Sequence, residues 1–452
     1  MKPRSRREFL QMTAGAAAVA PIILEAQQQP PLPSFEDVPP SERVQFATIG
    51  FGIQGQSDTG SALRVPGVRL AAVADVYDGR QALAKERVGK DVFTSRDYRE
   101  VLARPDIQAV IIATPDHWHS QIAIDAMKAG KDVYCEKPMT QTVEEGHKVI
   151  ATARETSRIV QVGSQRVSSI VYAKARELYR GGAIGRLNLV EAWINRNSPL
   201  GAWQYSIPPD ASLQTIDWDR FLGRAPKRPF EPVRLFRWRN YRDYGTGIPG
   251  DLFVHLFTGI HFVLDSVGPT RATVSGGLCH WDDGRDVPDV MVALYDYPQT
   301  STHPAFTLSL KVNFAEGAGD SQAFRFVGPE GVLTIGGGAV TLAKRPQAKE
   351  PGQTADTFAK AQQMAFMKEY RAKYPDVPEL RNTSDQVYAA PPGYSDQIEH
   401  FKNFFQSVRK RTPSVEDATF GLRAAGPALI ANDSYFEKKS IAWDPEKMKR
   451  IA

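Results

Sequence analysis

The chain is poor in the residues that build covalent or metal-based scaffolds. Its 452 residues include only two cysteines, Cys135 and Cys279, which are far apart and lie in different predicted elements. Two such cysteines do not make a disulfide framework, and no Cys-x-x-Cys spacing is present. The nearest approach to a metal-ligand spacing is His117-x-His119. We therefore predict no metal site.

The chain also lacks a strong charge and a long apolar segment. Its formal net charge is +5, falls to about +3 without residues 1–26, and leaves no cationic block. This composition argues against a nucleic-acid or membrane-surface role. The apolar run over residues 12–24 is too short to span a bilayer, so no stable membrane insertion is expected. A hydrophobic content of 42% is typical of a globular protein with a large core.

The first residues carry the features of an export signal. The segment Ser5-Arg6-Arg7-Glu8-Phe9-Leu10 resembles the twin-arginine consensus, and the apolar run follows it. We predict a Tat signal peptide over residues 1–26 and a Pro/Gln-rich tether over residues 27–42. The Tat export machinery is then a partner, and the protein is expected in the periplasm or outside the cell.

Residues 43–165 alternate short apolar strands with amphipathic helices. Strands are predicted over residues 44–49, 69–75, 109–114, 132–135 and 159–163, with helices over 81–88, 120–129 and 143–155. Such alternation is typical of a doubly wound parallel sheet. We predict an N-terminal α/β domain of the Rossmann dinucleotide-binding type.

Over residues 166–445 the pattern changes to a second domain of α+β type. Helix 168–180 and strand 187–195 precede an irregular, aromatic-rich insertion over residues 196–245, and helix 251–265 follows it. Apolar runs at 272–280, 290–297, 306–314, 323–327 and 331–343 adjoin through turns, which favours an antiparallel sheet. Residues 344–392 are predicted as a surface excursion, and helices 395–409 and 415–438 close the chain.

The first strand leads into Gly50-Phe51-Gly52-Ile53-Gln54-Gly55 and then into a helix. In this pattern the first glycine permits a tight turn, the second lets the backbone approach a pyrophosphate, and the third lets helix pack on strand. Asp75 ends the next strand, where a carboxylate binds ribose hydroxyls and repels a 2′-phosphate. NAD is therefore the predicted cofactor. NADP is less favoured, although Arg80 could reach over a phosphate.

Two later strand ends are predicted to face the same crevice. Thr114 and Pro115 follow one strand, and His119 is assigned to the wall of the nicotinamide pocket. Glu136 and Lys137 end the next strand, where the Lys137 ammonium would lie near the nicotinamide. A cis peptide bond before Pro138 would aim it into the crevice.

Asp251 and His255 are four residues apart on a predicted helix, so both project from one face. A histidine oriented by a carboxylate can take a hydroxyl proton while hydride leaves the adjacent carbon. His261 is an optional substrate contact. Aromatic side chains of the insertion are candidates to contact the apolar faces of a carbohydrate, namely Trp203, Tyr205, Trp238 and Tyr241.

The ordered set of motifs resembles the glucose–fructose oxidoreductase / inositol dehydrogenase / MocA family over nearly all of residues 43–445. The resemblance rests on the glycine pattern, Asp75, Thr114-Pro115 through His119, Glu136-Lys137-Pro138, Gly163-Ser164-Gln165-Arg166, Gly185-Arg186, and Asp251 with His255. It implies a second domain with a large, open, mostly antiparallel sheet that often serves oligomerisation. On this resemblance Lys137, Asp251 and His255 form the catalytic group, Gln165 joins the cofactor site and Arg166 the substrate site. The family's helix pattern is changed at Phe253, which replaces a glycine, and at Thr258, which replaces an aspartate.

The sequence therefore predicts an exported nicotinamide-dependent oxidoreductase. It would transfer hydride to or from a hydroxyl-bearing carbon of a sugar, a sugar derivative or a cyclitol, as a homo-oligomeric dimer or tetramer with tightly bound NAD. One alternative is an NAD-dependent glycosidase or lyase that acts through a transient keto-sugar. A second alternative is a cofactor-loaded binding protein without catalysis.

Overall fold

The computed structural model describes residues 21–24, 35–36, 38–344, 352–373 and 384–451. The strands are, in chain order, β1 (Ile22–Ile23), β2 (Val44–Ile49), β3 (Val68–Ala74), β4 (Phe93–Ser95), β5 (Ala109–Ile112), β6 (Asp132–Glu136), β7 (Val160–Gly163), β8 (Leu189–Asn195), β9 (Arg271–Gly277), β10 (Val290–Tyr297), β11 (Phe306–Asn313), β12 (Ser321–Gly328), β13 (Gly331–Gly336), β14 (Ala339–Ala343), β15 (Gln386–Ala389), β16 (Ile441–Asp444) and β17 (Lys449–Arg450). The α-helices are α1 (Ile53–Ala62), α2 (Asp78–Val88), α3 (Tyr98–Leu102), α4 (Asp116–Lys128), α5 (Val143–Thr156), α6 (Ile170–Arg180), α7 (Trp218–Leu222), α8 (Pro232–Phe236), α9 (Val254–Leu264), α10 (Lys360–Lys373), α11 (Asp396–Lys410) and α12 (Ala418–Glu437).

The N-terminal domain is built on a parallel six-stranded sheet, in the order β4-β3-β2-β5-β6-β7. Its central strands are covered on both faces, which is why they read as continuous apolar runs. The predicted Rossmann fold is confirmed, with one additional strand. Phe93–Ser95 has only three residues, too few for a periodic signal.

A helix from the far end of the chain also packs on this sheet. Phe401, Phe404 and Phe405 of α11 are fully buried with Phe46 and Tyr134, and the Tyr134 ring stacks on Phe401 at 4.3 Å between centroids. Helix α11 therefore covers the sheet of the first domain, although it follows most of the second domain in sequence.

The C-terminal domain is built on an eleven-stranded sheet among the described residues, in the order β1-β15-β14-β13-β12-β8-β11-β10-β9-β16-β17. The β8–β11 and β1–β15 pairs are parallel, and the other neighbours are antiparallel. Helices α6, α9 and α12 pack on one face. Val292 and Leu294 point to the other face and are 40% and 49% exposed. The predicted large, open, mostly antiparallel sheet is confirmed.

Several predicted boundaries differ from the structure. The run over residues 331–343 is a hairpin rather than one strand, because Gly337 and Gly338 turn the chain with φ of +58° and +76°. The predicted surface excursion contains α10 and β15, and β15 joins the sheet beside β14. The end of the predicted tether is packed, since Val38 is buried against Gly67.

Of the predicted signal peptide, only residues 21–24 are described, and Ile22–Ile23 pairs with Tyr388–Ala389 at the sheet edge. The twin-arginine pair and the start of the apolar run lie outside the described residues. No helix in the part of the chain that the structure describes is long and apolar enough to cross a membrane.

Candidate active site

The Rossmann strands end at a cavity of about 940 Å³, which the insertion (residues 196–245) closes from the other side. The predicted site residues that line it are Gly50, Gly52, Ile53, Gln54, Asp75, Thr114, Pro115, Glu136, Lys137, Gln165, Trp203, Tyr205, Trp238, Asp251 and His255. Sequence reasoning did not assign several further lining residues to the site, including Arg96, Arg196, Gln204, Arg220, Phe221, Phe236 and Arg239. One cavity thus joins the glycine turn to the Lys137–Asp251–His255 group.

The glycine turn has the shape of a phosphate cradle. Gly50 has φ of +88°, and a Cβ there would lie 2.7 Å from the Ala113 backbone. A Cβ on Gly55 would lie 1.9 Å from the Gly50 carbonyl oxygen, so this glycine lets α1 pack against the strand end. Helix α1 has no capping side chain and no acidic residue in its first turn. Its free N–H groups fit the pyrophosphate of a dinucleotide.

Asp75 follows the end of β3, and backbone amides of the glycine turn and of Tyr77 hold its side chain in place. Its carboxylate accepts hydrogen bonds from the amides of Phe51 (2.7 Å) and Tyr77 (3.0 Å). The Phe51 side chain is buried and does not line the cavity. The Arg80 Nη1 lies 3.5 Å from the Asp75 Oδ2, so Arg80 pairs with this carboxylate instead of extending freely into solvent. Asp75 remains on the cavity wall, where it can meet a ribose.

His119 does not line the cavity as predicted. Its Nδ1 lies 2.7 Å from the Pro138 carbonyl oxygen and its Nε2 lies 2.8 Å from that of Thr114. The buried imidazole therefore ties two strand-end loops together. Asp116 is the first residue of α4, and its buried carboxylate accepts hydrogen bonds from the Thr246 amide and hydroxyl.

The end of the cavity that carries Lys137, Asp251 and His255 is called the reaction end. Lys137 and Asp251 lie at its centre. The Lys137 Nζ donates to the Asp251 Oδ1 at 2.7 Å and to the Asp251 carbonyl at 2.8 Å, and the peptide bond before Pro138 is cis. The Arg239 Nε donates to the same Oδ1 at 3.1 Å. Burial alone would raise the pKa of Asp251, but Lys137 and Arg239 lower it well below its ordinary value. The carboxylate is therefore charged and shared by two cations.

His255 lies one turn beyond Asp251. The predicted helix begins with a π-helical turn, Pro249–Phe253, which places Asp251 on the cavity before α9 carries His255. Burial lowers the pKa of His255 well below its ordinary value, and Lys137 lowers it further. The imidazole is therefore neutral at pH 7, and its Nδ1 has no partner among the described residues. Phe253 is fully buried and does not line the cavity.

Glu136 is a buried acid on the cavity wall. Burial raises its pKa well above the ordinary value, and the neighbouring Asp58 raises it further. Burial also raises the pKa of Asp58 to about 7, against the hydrogen bonds that Asp58 accepts from Gln54 and Gln397. The Oε1 of Glu136 has no hydrogen-bond partner among the described residues, so it is available to a bound group.

Three predicted substrate residues lie away from the cavity. The Arg166 Nη1 is 3.7 Å from the Asp396 Oδ2, and its guanidinium lies over the Tyr172 ring. Tyr241 is buried in the aromatic cluster of the insertion. The His261 Nε2 is 2.8 Å from the Tyr297 hydroxyl, inside the core. The sequence could not distinguish Tyr241 from the aromatic side chains that face the cavity, because the insertion has no regular period.

The insertion is fastened to the Rossmann domain at two places beside the cavity. Near the Asp75 end, Ile216 forms a β-bridge with Tyr77, and the Tyr77 hydroxyl donates to Asp210 at 2.6 Å. At the start of α4, the Trp118 indole N–H donates to the Phe221 carbonyl at 2.9 Å. These contacts cover the cavity with a segment that is anchored to both domains.

Residues 44–164 match the GFO_IDH_MocA model, which describes an oxidoreductase family with an NAD-binding Rossmann fold. The match covers the N-terminal domain, including the glycine turn, Asp75 and Lys137. Among curated proteins, inositol 2-dehydrogenase of Rubrobacter xylanophilus is 32% identical over 186 residues, which are 40% of this chain and 53% of that protein. Alpha-N-acetylgalactosaminidase of Shewanella oneidensis is 38% identical over 128 residues, which are 26% of this chain and 28% of that protein. The chain thus spans about half or less of the length of these curated relatives.

Among solved structures, the similarity extends over both domains. A levoglucosan dehydrogenase in complex with NADH and levoglucosan superposes with a TM-score of 0.63 at 17% identity, over 88% of this chain and 99% of that one. At this identity the likeness shows a shared two-domain fold.

Proposed function

We propose that the chain is a nicotinamide-dependent oxidoreductase of the GFO_IDH_MocA family. It would oxidise and reduce a hydroxyl-bearing carbon of a sugar, a sugar derivative or a cyclitol. The observation that carries this proposal is the single cavity, which has a phosphate cradle at one end and the Lys137–Asp251–His255 group at the other. Inositol and levoglucosan dehydrogenases among the similar proteins support the substrate class.

The chain's own residues supply the proton chemistry. Bound NAD would provide the hydride acceptor. The Lys137 ammonium has three N–H donors, of which two bind Asp251, so the third is free to stabilise an alkoxide oxygen. Neutral His255 can take the hydroxyl proton as a general base. Asp251 holds Lys137 in place and, as a charged neighbour, favours the protonated imidazole that forms.

We further propose that NAD is held tightly, with NADP as the less favoured dinucleotide. Asp75 on the cavity wall supports NAD, because a carboxylate there repels a 2′-phosphate. The insertion supports retention, since it is fastened to the Rossmann domain at two places beside the cavity. Protein purified without added dinucleotide should keep nicotinamide absorbance through gel filtration. Rapid loss on the column would contradict tight binding.

A single-turnover experiment tests the reaction. Protein loaded with NAD⁺ is mixed with single sugars and cyclitols, and absorbance at 340 nm reports reduction. A second sugar in its carbonyl form should then restore the oxidised dinucleotide. No absorbance change with any member of a broad panel would contradict oxidoreduction and favour the binding-protein alternative.

The glycosidase alternative is supported by the similarity to alpha-N-acetylgalactosaminidase. Such an enzyme would oxidise a ring hydroxyl transiently and expel the aglycone. Nitrophenyl glycosides separate the two activities, because a glycosidase releases nitrophenol without net formation of NADH. A dehydrogenase accumulates NADH and releases no nitrophenol.

Export and assembly complete the proposal. We propose Tat-dependent export on the basis of Ser5–Leu10, and replacement of Arg6 and Arg7 by lysine should leave the protein in the cytoplasmic fraction.

We propose a homo-oligomer, a dimer or tetramer, because the open sheet face exposes Val292 and Leu294. Light scattering after size exclusion measures the mass, and a monomer would contradict this assembly.

A further inference from the structure

The reaction end of the cavity carries more positive charge than the chain itself neutralises. Lys137 and Arg239 share the single carboxylate of Asp251. Arg196 also lines the cavity, and no carboxylate of the described residues lies within 4.0 Å of its guanidinium. Glu136 is the other acid on this wall, and among the described residues it forms no ion pair with Lys137, Arg196 or Arg239. Three cations at this end therefore have one carboxylate in ion-pair contact.

These charges are poorly placed for solvation by water. The side chains of Lys137 and Asp251 are 9% exposed, and that of Arg239 is 22% exposed. Removing a charge from water without a partner is unfavourable. A bound anion would therefore stabilise this end of the cavity.

The guanidinium groups also have donors to spare. The Arg239 Nε donates a hydrogen bond to Asp251, and one Nη of Arg196 donates a hydrogen bond to the Gly201 carbonyl at 2.8 Å. Among the described residues no acceptor is found for the two Nη atoms of Arg239 or for the second Nη of Arg196. Free guanidinium edges match the oxygens of a carboxylate or a phosphate.

A third side chain has an unused donor in the same wall. Trp203 is fully buried and lines the cavity, and its indole N–H has no acceptor within the described part of the chain. Its φ is +66°, in the left-handed region that bulky residues rarely adopt. The surrounding fold therefore imposes this position on Trp203, as is typical of residues at ligand sites.

We propose that the natural substrate is an acidic sugar or cyclitol, a polyhydroxylated ring that carries one carboxylate or phosphate group. Arg196 and Arg239 bind the anionic group, while Lys137 and His255 act on a ring hydroxyl. The inference rests on the proposed oxidoreductase function and names the substrate class of the same site. A pyrophosphate does not account for the excess, because its cradle is the glycine turn at the opposite end.

Binding of matched ligands to the dinucleotide-loaded protein tests the inference. Glucose, glucuronate and glucose 6-phosphate form one series, and the galactose and mannose analogues form two more. We expect the best acidic member to bind at least tenfold more tightly than its neutral parent, with an affinity that falls as salt rises. The carboxylate and phosphate arms identify which anion is preferred. Equal affinity for neutral and acidic members, or no binding of any acidic member, would overturn the inference.

Three variants locate the effect. Arg196→Gln and, separately, Arg239→Gln should each weaken binding of the acidic ligand about tenfold more than they weaken binding of the neutral parent. Arg196→Gln leaves the Lys137–Asp251 pair untouched, so it remains informative if Arg239→Gln folds poorly. Arg180→Gln, which removes an exposed arginine paired with Asp265, is the matched control and should change neither affinity.

Absorbance at 340 nm in the same samples separates the two proposals. If only the acidic ligands reduce the dinucleotide, the oxidoreductase function and the acidic substrate class are both supported. Reduction by neutral members with equal efficiency overturns the acidic substrate and keeps the oxidoreductase. Tight binding of acidic members without any reduction keeps the anion site and contradicts the oxidoreductase.

Discussion

The two ends of the cavity hold their charged side chains in opposite ways. At the Asp75 end each arginine has its own acid: Arg80 pairs with Asp75, Arg96 with Asp78, Arg99 with Asp97, and Arg220 with Asp217. At the reaction end two cations share Asp251, and Arg196 has no acid. At the Asp75 end the protein's own carboxylates neutralise the arginines, so this end can hold a ligand through its shape. The second end is completed only when an anion or a developing alkoxide arrives.

The largest effect is expected for Lys137→Ala at the reaction end. Loss of the ammonium removes the group that stabilises the alkoxide, so reduction of bound dinucleotide should slow by about 10³-fold, within the usual range for a general acid or base. Stopped-flow absorbance at 340 nm measures the rate. The amount of dinucleotide retained after gel filtration should not change, because the other end is intact. A rate within tenfold of the parent would remove Lys137 from the chemistry.

The second effect concerns stability at the same end. Asp251→Asn leaves Lys137 and Arg239 without their carboxylate, and the free energy of unfolding should fall by about 3 kcal/mol at pH 7. Because Lys137 and Arg239 lower the pKa of folded Asp251 against the effect of burial, its contribution is complete above the unfolded pKa of about 4 and is lost as the pH falls below it. Urea unfolding of parent and variant should therefore converge in acid. Asp265→Asn, at a half-exposed carboxylate, should cost little at either pH.

A third, smaller effect is expected at the Asp75 end. Asp75→Asn removes the charge that repels a 2′-phosphate, so the ratio of NADPH to NADH affinity should rise about tenfold. Fluorescence titration of protein stripped of its dinucleotide measures both affinities. An unchanged ratio would mean that Asp75 serves only the amides of Phe51 and Tyr77.

The smallest effect tests the fastening of the insertion. Tyr77→Phe removes one hydrogen bond to Asp210, so the bound dinucleotide should dissociate about fivefold faster. Tyr179→Phe loses the same kind of bond, to the Thr302 carbonyl on the far side of the second domain, and should not change the rate. Equal rates in all three proteins would show that this contact does not limit release.

The Rossmann half of this site could be predicted from the sequence, because its residues follow strands that are contiguous and apolar. Gly50, Asp75 and Lys137 each stand at a strand end, and the parallel sheet brings those ends to one edge. The reaction end could be predicted only in part. The spacing of Asp251 and His255 placed both on one face, but the π-helical turn that sets Asp251 on the cavity has no sequence signal.

The rest depended on contacts between distant segments. Arg239 is one of eight arginines in the insertion, and nothing in the local sequence marked it as the second partner of Asp251. The same insertion buries Tyr241 in its own aromatic cluster, whereas Tyr205 lines the cavity. His261 lies six residues after His255 on α9, on a different face of the helix, and it packs in the core against Tyr297. Tertiary packing, which a local pattern does not encode, decides between such side chains.

The fastened insertion has a consequence for the kinetics of the proposed enzyme. With the dinucleotide enclosed, the hydride donor and the hydride acceptor must occupy one cavity in turn. Double-reciprocal plots against the two sugars should then give parallel lines, and each sugar at high concentration should inhibit the half-reaction of the other. The supply of acceptor sugar, rather than the supply of free NAD, would set the rate of the cycle.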